Sequence, residues 1–149
     1  MYGENVAHHL MCSGYAVTGV DGYAYEYSPL RMSNTWAEIS YQTTNLTHNG
    51  MFAVFGGYMK NFGTTRDALS TDMVYVKWAN NVDQMFRASA IAFYIYHDLK
   101  VGLEYEYTGV YYGDLQRDCT VDNTYLVGNH RASLVIHYDF SHKWHFGKK

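Results

Sequence analysis

Residues 129–140 read Asn-His-Arg-Ala-Ser-Leu-Val-Ile-His-Tyr-Asp-Phe, and they alternate between two kinds of side chain. Counted back from Phe140, every second residue is apolar or aromatic as far as Ala132. The alternate residues from Arg131 to Asp139 are polar except for one valine, and they include His137. Because successive side chains of a strand point to opposite faces, this period of two predicts a β-strand whose faces meet different surroundings.

The composition of the whole chain favours long, uninterrupted strands. The 149 residues include 16 tyrosines and 13 glycines but one proline. Tyrosine is common in strands, whereas proline removes a donor from the hydrogen-bond ladder. The length suits one domain, so we treat residues 1–149 as a single unit. A formal charge of −3 does not indicate a nucleic-acid partner.

Alternation and turn signals along the chain predict six strands. They cover residues 4–20, 33–44, 51–62, 83–96, 101–111 and 124–140. Two short turns, 45–50 and 97–100, are predicted to alternate with three longer loops, 21–32, 63–82 and 112–122. Most of these strands exceed the five or six residues that are typical of soluble domains.

Long strands joined alternately by short turns and long loops are typical of outer-membrane barrels. A tilted strand needs about 9 to 11 residues to cross a bilayer, and such barrels have short periplasmic turns and longer outer loops. We therefore expect the three longer loops to face the outside. The tyrosines near strand ends fit the aromatic girdles of these barrels.

The run Gly-Leu-Glu-Tyr-Glu-Tyr at 102–107 and the closing run 130–140 resemble the C-terminal part of Gram-negative, porin-like outer-membrane β-barrels. The resemblance implies an all-β, antiparallel, up-and-down transmembrane barrel in the bacterial outer membrane. It also implies a non-enzymatic, porin-like channel that passes small polar solutes by passive diffusion, without a cofactor. Its partners would be outer-membrane lipid and the barrel-assembly machinery, which reads the last strand.

Two features depart from the family pattern. In that family the chain usually ends at the closing aromatic, but residues 141–149 follow Phe140 here. Six strands are also fewer than the eight of the smallest single-chain barrels. We therefore expect these strands to be part of a larger barrel, completed by upstream strands or by assembly, and homo-oligomerisation and the status of Met1 as a start stay open.

Polar residues opposite the apolar stripes are the candidate site. If the apolar stripes face lipid, these residues line the interior, and acids such as Glu104 and Glu106 attract cations there. The predicted pore-lining residues are Glu38, Gln42, Arg87, Glu104, Glu106, Arg131 and His137. The alternative is that their salt bridges only fill a narrow barrel.

Two other functions stay open. In a soluble, lipocalin-like barrel, the stripes containing Leu103 and Leu134 would point inward and bind a small apolar ligand. In a barrel enzyme acting on lipid, Ser133 and His137 share a face, but residues four apart on a strand lie about 13 Å apart. No histidine or cysteine spacing matches a zinc module, and no metal site is predicted. Cys12 and Cys119 are predicted to be unpaired.

Overall fold

The structure is a computed structural model that describes residues 14–44, 49–76 and 80–139. This part of the chain is all-β: it contains eight strands, one short 3-10 helix (Thr71–Met73) and no α-helix. The strands are β1 (Gly14–Asp21), β2 (Ala24–Pro29), β3 (Met32–Thr44), β4 (Asn49–Asn61), β5 (Val74–Val76), β6 (Val82–Tyr96), β7 (Leu99–Leu115) and β8 (Val121–Tyr138).

The larger of two sheets, which we call the wall, contains the long strands in the order β3-β4-β6-β7-β8. Every neighbouring pair in the wall is antiparallel. These strands contain 13, 13, 15, 17 and 18 residues. The five long strands predicted from residue 33 onward are therefore confirmed, with boundaries that differ by only a few residues. Phe140, the predicted closing aromatic, lies outside the described residues.

The wall is an open sheet within the described ranges. β3 and β8 form its two edges and do not pair with each other. Because direction alternates across five antiparallel strands, β3 and β8 run the same way. They therefore cannot close the sheet by pairing antiparallel with each other.

The prediction that residues 21–32 form a loop is wrong for most of its length. β1 and β2 form a hairpin that turns at Gly22, whose φ of 61° suits a residue without a Cβ. Pro29 is the last residue of β2 and lies on an edge strand, where a missing N–H donor costs little. Of the predicted first strand, residues 4–13 lie outside the described part of the chain.

The two later connections also contain more structure than predicted. Residues 63–82 include the 3-10 helix and β5, which pairs with β1 to complete a smaller sheet of order β2-β1-β5. The predicted loop 112–122 shortens to residues 116–120, because β7 extends to Leu115 and β8 begins at Val121.

One short turn is confirmed and the other is displaced. His97 and Asp98 form a two-residue turn between β6 and β7, and His97 has a φ of 51°. Asn49 and Gly50, the predicted end of the other turn, belong to β4. Thr44 pairs with Asn49, and residues 45–48 between them lie outside the described ranges.

A buried cluster joins the smaller sheet to the loops at one end of the wall. Ala16, Ala68 and Cys119 are fully buried there, with Val74 beside them. Asn61 links the same region by donating to the carbonyl of Cys119 at 2.9 Å and accepting from the Gly63 amide at 2.8 Å. We call this smaller sheet, with residues 62–73 and 116–120, the loop end. Cys119, which was predicted to lie in a polar loop, is a buried free cysteine, and Cys12 lies outside the described residues.

Candidate functional site: a charged belt on one face of the wall

The strand register assigns each side chain of the wall to one of two faces, because residues directly opposite in an antiparallel pair share a face. One row across all five strands contains Glu38, Phe55, Ser89, Glu106 and Arg131. We call the face of this row the charged face. All seven residues predicted to line a pore lie on it: Glu38, Gln42, Arg87, Glu104, Glu106, Arg131 and His137.

Four of these residues form a connected ion-pair network, which we call the charged belt. Arg131 Nη2 lies 2.7 Å from Glu104 Oε1 and 3.3 Å from Glu106 Oε2. Arg87 Nε lies 3.8 Å from the same oxygen of Glu106 and donates to Thr108 Oγ1 at 3.0 Å. The belt therefore joins β6, β7 and β8, and its two arginines balance its two glutamates.

Burial within the belt differs between its members. The Glu106 and Arg87 side chains are only 7% and 14% exposed, whereas that of Arg131 is 53% exposed. Breaking a buried pair leaves an uncompensated charge, which costs more than losing an exposed pair. Glu106 and Arg87 are consequently the structural centre of the belt, and Arg131 is its accessible member.

His137 belongs to a second charged group at the end of β8. Asp139 accepts from Lys100 Nζ at 3.2 Å and lies 3.0 Å from His137 Nε2. The hydrogen bond and the positive charge of Lys100 hold the pKa of Asp139 below its ordinary value. Lys100 was not among the predicted site residues. The available signal was that Lys100 and Glu104 are both even-numbered residues of one strand and therefore lie on the same face.

Glu38 and Gln42 lie apart from both groups, on the edge strand β3. Both side chains are exposed. Within residues 14–44, 49–76 and 80–139, Glu38 forms no ion pair, whereas Arg87, Lys100, Glu104, Glu106 and Arg131 all do. The structure thus places all the predicted residues on one face but divides them among three locations.

The charged face also contains apolar residues that the sequence prediction omitted. Met59 on β4 is fully buried, and Ala53, Phe55 and Phe93 are nearly so. Phe93 packs over Gly102, where a Cβ would collide with its ring. The face is therefore mixed, with a belt of charge between apolar groups, rather than polar along its whole length.

The opposite face, which we call the apolar face, is exposed and nearly free of charge. Ile39, Leu103 and Leu134 are 73%, 61% and 67% exposed on it. Other large exposed side chains of this face are Tyr41, Phe52, Val54, Tyr58, Tyr94, Tyr105, Leu126, Ile136 and Tyr138. Contiguous apolar surface of this kind marks contact with another protein or a membrane.

Comparisons with protein-family models, curated proteins and solved structures find no match. The site therefore has to be interpreted from its own geometry. In the described ranges, no cluster of three or more histidine, cysteine, aspartate or glutamate residues has a metal-binding arrangement. No helix in the same ranges is long and apolar enough to span a membrane.

A row of exposed aromatic rings lies on the smaller sheet. The Tyr15 ring centroid is 5.4 Å from that of Tyr27 and 5.2 Å from that of Tyr75. Tyr15, Tyr27 and Pro29 line a shallow, open cavity of about 400 Å³. The sequence placed Tyr15 in a predicted strand and Tyr27 and Tyr75 in predicted loops, whereas the structure groups the three rings on three neighbouring strands.

Proposed function

We propose that this chain forms wall strands of a bacterial outer-membrane β-barrel and serves as a porin-like channel for small polar solutes. The supporting observation is the polarity of the five-stranded sheet. Most of its large exposed apolar side chains lie on one face, and the charged belt and the Lys100–Asp139 pair lie on the other. Trp36, Tyr125 and Val127 are exposed on the charged face, and Lys60, which pairs with Asp83, lies on the apolar face. A transmembrane barrel has this arrangement because its outer surface meets hydrocarbon and its interior meets water.

Strand length and direction fit the same function. The wall strands contain 13 to 18 residues, more than the roughly 9 to 11 that a tilted strand needs to cross a bilayer. Lipid does not tolerate unpaired sheet edges, so both β3 and β8 require further strands. Because β3 and β8 run the same way, an all-antiparallel closure requires an odd number of them, and three would give the eight strands of a small barrel.

The soluble, ligand-binding barrel is less well supported by the same observation. It requires the stripes containing Leu103 and Leu134 to point inward, yet these side chains are more than half exposed. Nothing in the site geometry favours a lipid-cleaving enzyme over a channel.

The test is reconstitution of the chain in detergent and then in planar bilayers. We expect it to require detergent for solubility and to give discrete conductance steps that scale with salt concentration. Heat-denatured protein at the same detergent concentration is the control. A monomer that is soluble without detergent and gives no conductance would contradict the proposal.

A further inference from the structure

Charge pairing on the charged face distinguishes acids that appear equivalent in the sequence. The face carries three glutamates, Glu38, Glu104 and Glu106, of which Glu104 and Glu106 were expected to attract cations. A carboxylate attracts a mobile cation less when a fixed cation lies within a few ångströms, because the two fixed charges largely cancel at a distance.

The negative charges of Glu104 and Glu106 are cancelled in this way by arginine side chains. Arg131 contacts both, at 2.7 and 3.3 Å, and Arg87 contacts Glu106 as well. The belt has two positive and two negative charges, so its field decays rapidly with distance. Lys100 and Asp139 also pair with each other, at 3.2 Å, beside His137.

Glu38 is the acid of this row that has no such partner in the described ranges. It lies in the same cross-strand row as Glu106 and Arg131, four strands away from Arg131. The residues opposite and beside it on this face, Phe55, Trp36 and Ser40, carry no positive charge. Asp114 and Asp122 also form no ion pair in the described ranges, but they lie beyond the register shift near the loop end, where Asp114 accepts from Asn123 Nδ2 at 3.0 Å. Glu38 is therefore the one uncompensated charge of the charged face that lies in the same cross-strand row as the belt.

We propose that Glu38 is the residue that gives this channel a preference for cations. Glu104 and Glu106 instead form a structural ion-pair network with Arg87 and Arg131 that has no net charge. This assignment rests on the proposed channel function. The solutes favoured would be small inorganic or organic cations at low ionic strength. Salt screens an exposed carboxylate over about 10 Å at 0.1 M, so the preference should weaken as salt rises.

The test is the reversal potential of the full chain in a planar bilayer under a KCl gradient. Glu38→Gln should bring the potassium-to-chloride permeability ratio close to that of free diffusion, and Glu38→Lys should invert it. Glu26→Gln is the matched control, because it removes the same charge from the loop end, where Glu26 pairs with Arg66 at 3.0 Å. This control should leave the ratio unchanged.

A second variant keeps the test informative if Glu38→Gln inserts poorly. Glu38→Cys, in a background where Cys12 and Cys119 are alanine, should lose cation preference and regain it after reaction with a sulfonate-bearing thiol reagent. Conducting channels whose selectivity does not respond to residue 38 would overturn the assignment while leaving the channel function intact. A wild-type chain that never conducts would overturn both.

Discussion

The loop end and the wall are stabilised in different ways. The loop end buries small side chains, such as Ala16, Ala68 and Cys119, and satisfies its backbone through side chains such as Asn61. The wall has two edge strands whose side chains are mostly exposed on both faces, and many large apolar residues of its apolar face, such as Ile39, Leu103 and Leu134, are exposed. The loop end is thus packed as in water-soluble proteins, whereas the wall leaves an apolar face exposed, which is the face that the proposed function assigns to lipid.

The largest expected effect is a charge placed on the apolar face of the wall. Leu103→Lys should reduce insertion into lipid vesicles, because an ammonium near the bilayer midplane costs about 2 to 4 kcal/mol. The measurement is the fraction of protein that becomes protease-resistant after folding into vesicles. Ser133→Lys is the control, because Ser133 lies on the charged face opposite Glu104.

The two substitutions distinguish a wall whose apolar face contacts lipid from a sheet whose apolar face is exposed to water. In water, Leu103→Lys would replace an exposed apolar side chain and cost little. Equal insertion of the two variants would therefore mean that the apolar face does not meet lipid.

The alternation in β7 made the two faces of the wall predictable from sequence. Leu103 and Tyr105 differ sharply in polarity from Glu104 between them, so the period of two directly assigns each side chain to one face of the sheet. Once the two-residue turn at His97 is recognised, the pairing of Ser89 with Glu106 also follows, since turn length sets the register.

Other features were not predictable, for identifiable reasons. The pairing of Glu106 with Arg131 depends on a register shift between Tyr112 and Asp114, which no local pattern indicates. Residues 51–62 are apolar at both odd and even positions, so the sequence does not show which face of this strand is buried. The burial of Met59 on the charged face could therefore not be predicted. β2 is short, polar and ends in proline, which indicated a loop.

The next effect concerns the loop end. Asn61→Ala should lower the free energy of unfolding by about 1 to 3 kcal/mol, because the buried Cys119 carbonyl and Gly63 amide lose their partner. The measurement is thermal unfolding in detergent, followed by circular dichroism. Asn34→Ala on the exposed strand β3 is the control and should change stability by less than about 0.5 kcal/mol.

Similar losses in the two asparagine variants would contradict the distinction between a packed loop end and an open wall. Asn61 is 4% exposed, so its amide cannot be replaced readily by water. Insertion into vesicles should remain measurable for both variants, because neither substitution changes the apolar face.

The smallest expected effect is a pH dependence of the loop end. The Thr120 hydroxyl and amide, which donate to Asp118, hold the pKa of its carboxyl below the ordinary 3.8. A depressed folded pKa means that the stabilisation is complete above 3.8 and is lost as the pH falls through the folded value. Thr120→Val should therefore reduce the loss of thermal stability below that pH, and an unchanged acid dependence would contradict the role of this contact.

The most direct test of the central claim measures whether lipid or water contacts each face of the wall. Adjacent cysteine substitutions at Ile39 and Ser40 on β3, and at Ser133 and Leu134 on β8, sample both faces at both edges. With Cys12 and Cys119 replaced by alanine, each variant is folded into vesicles and treated with a lipid-phase or an aqueous thiol probe. We expect Ile39→Cys and Leu134→Cys to react with the lipid-phase probe, and Ser40→Cys and Ser133→Cys with the aqueous probe. The reverse pattern would contradict the assignment of the apolar face to lipid.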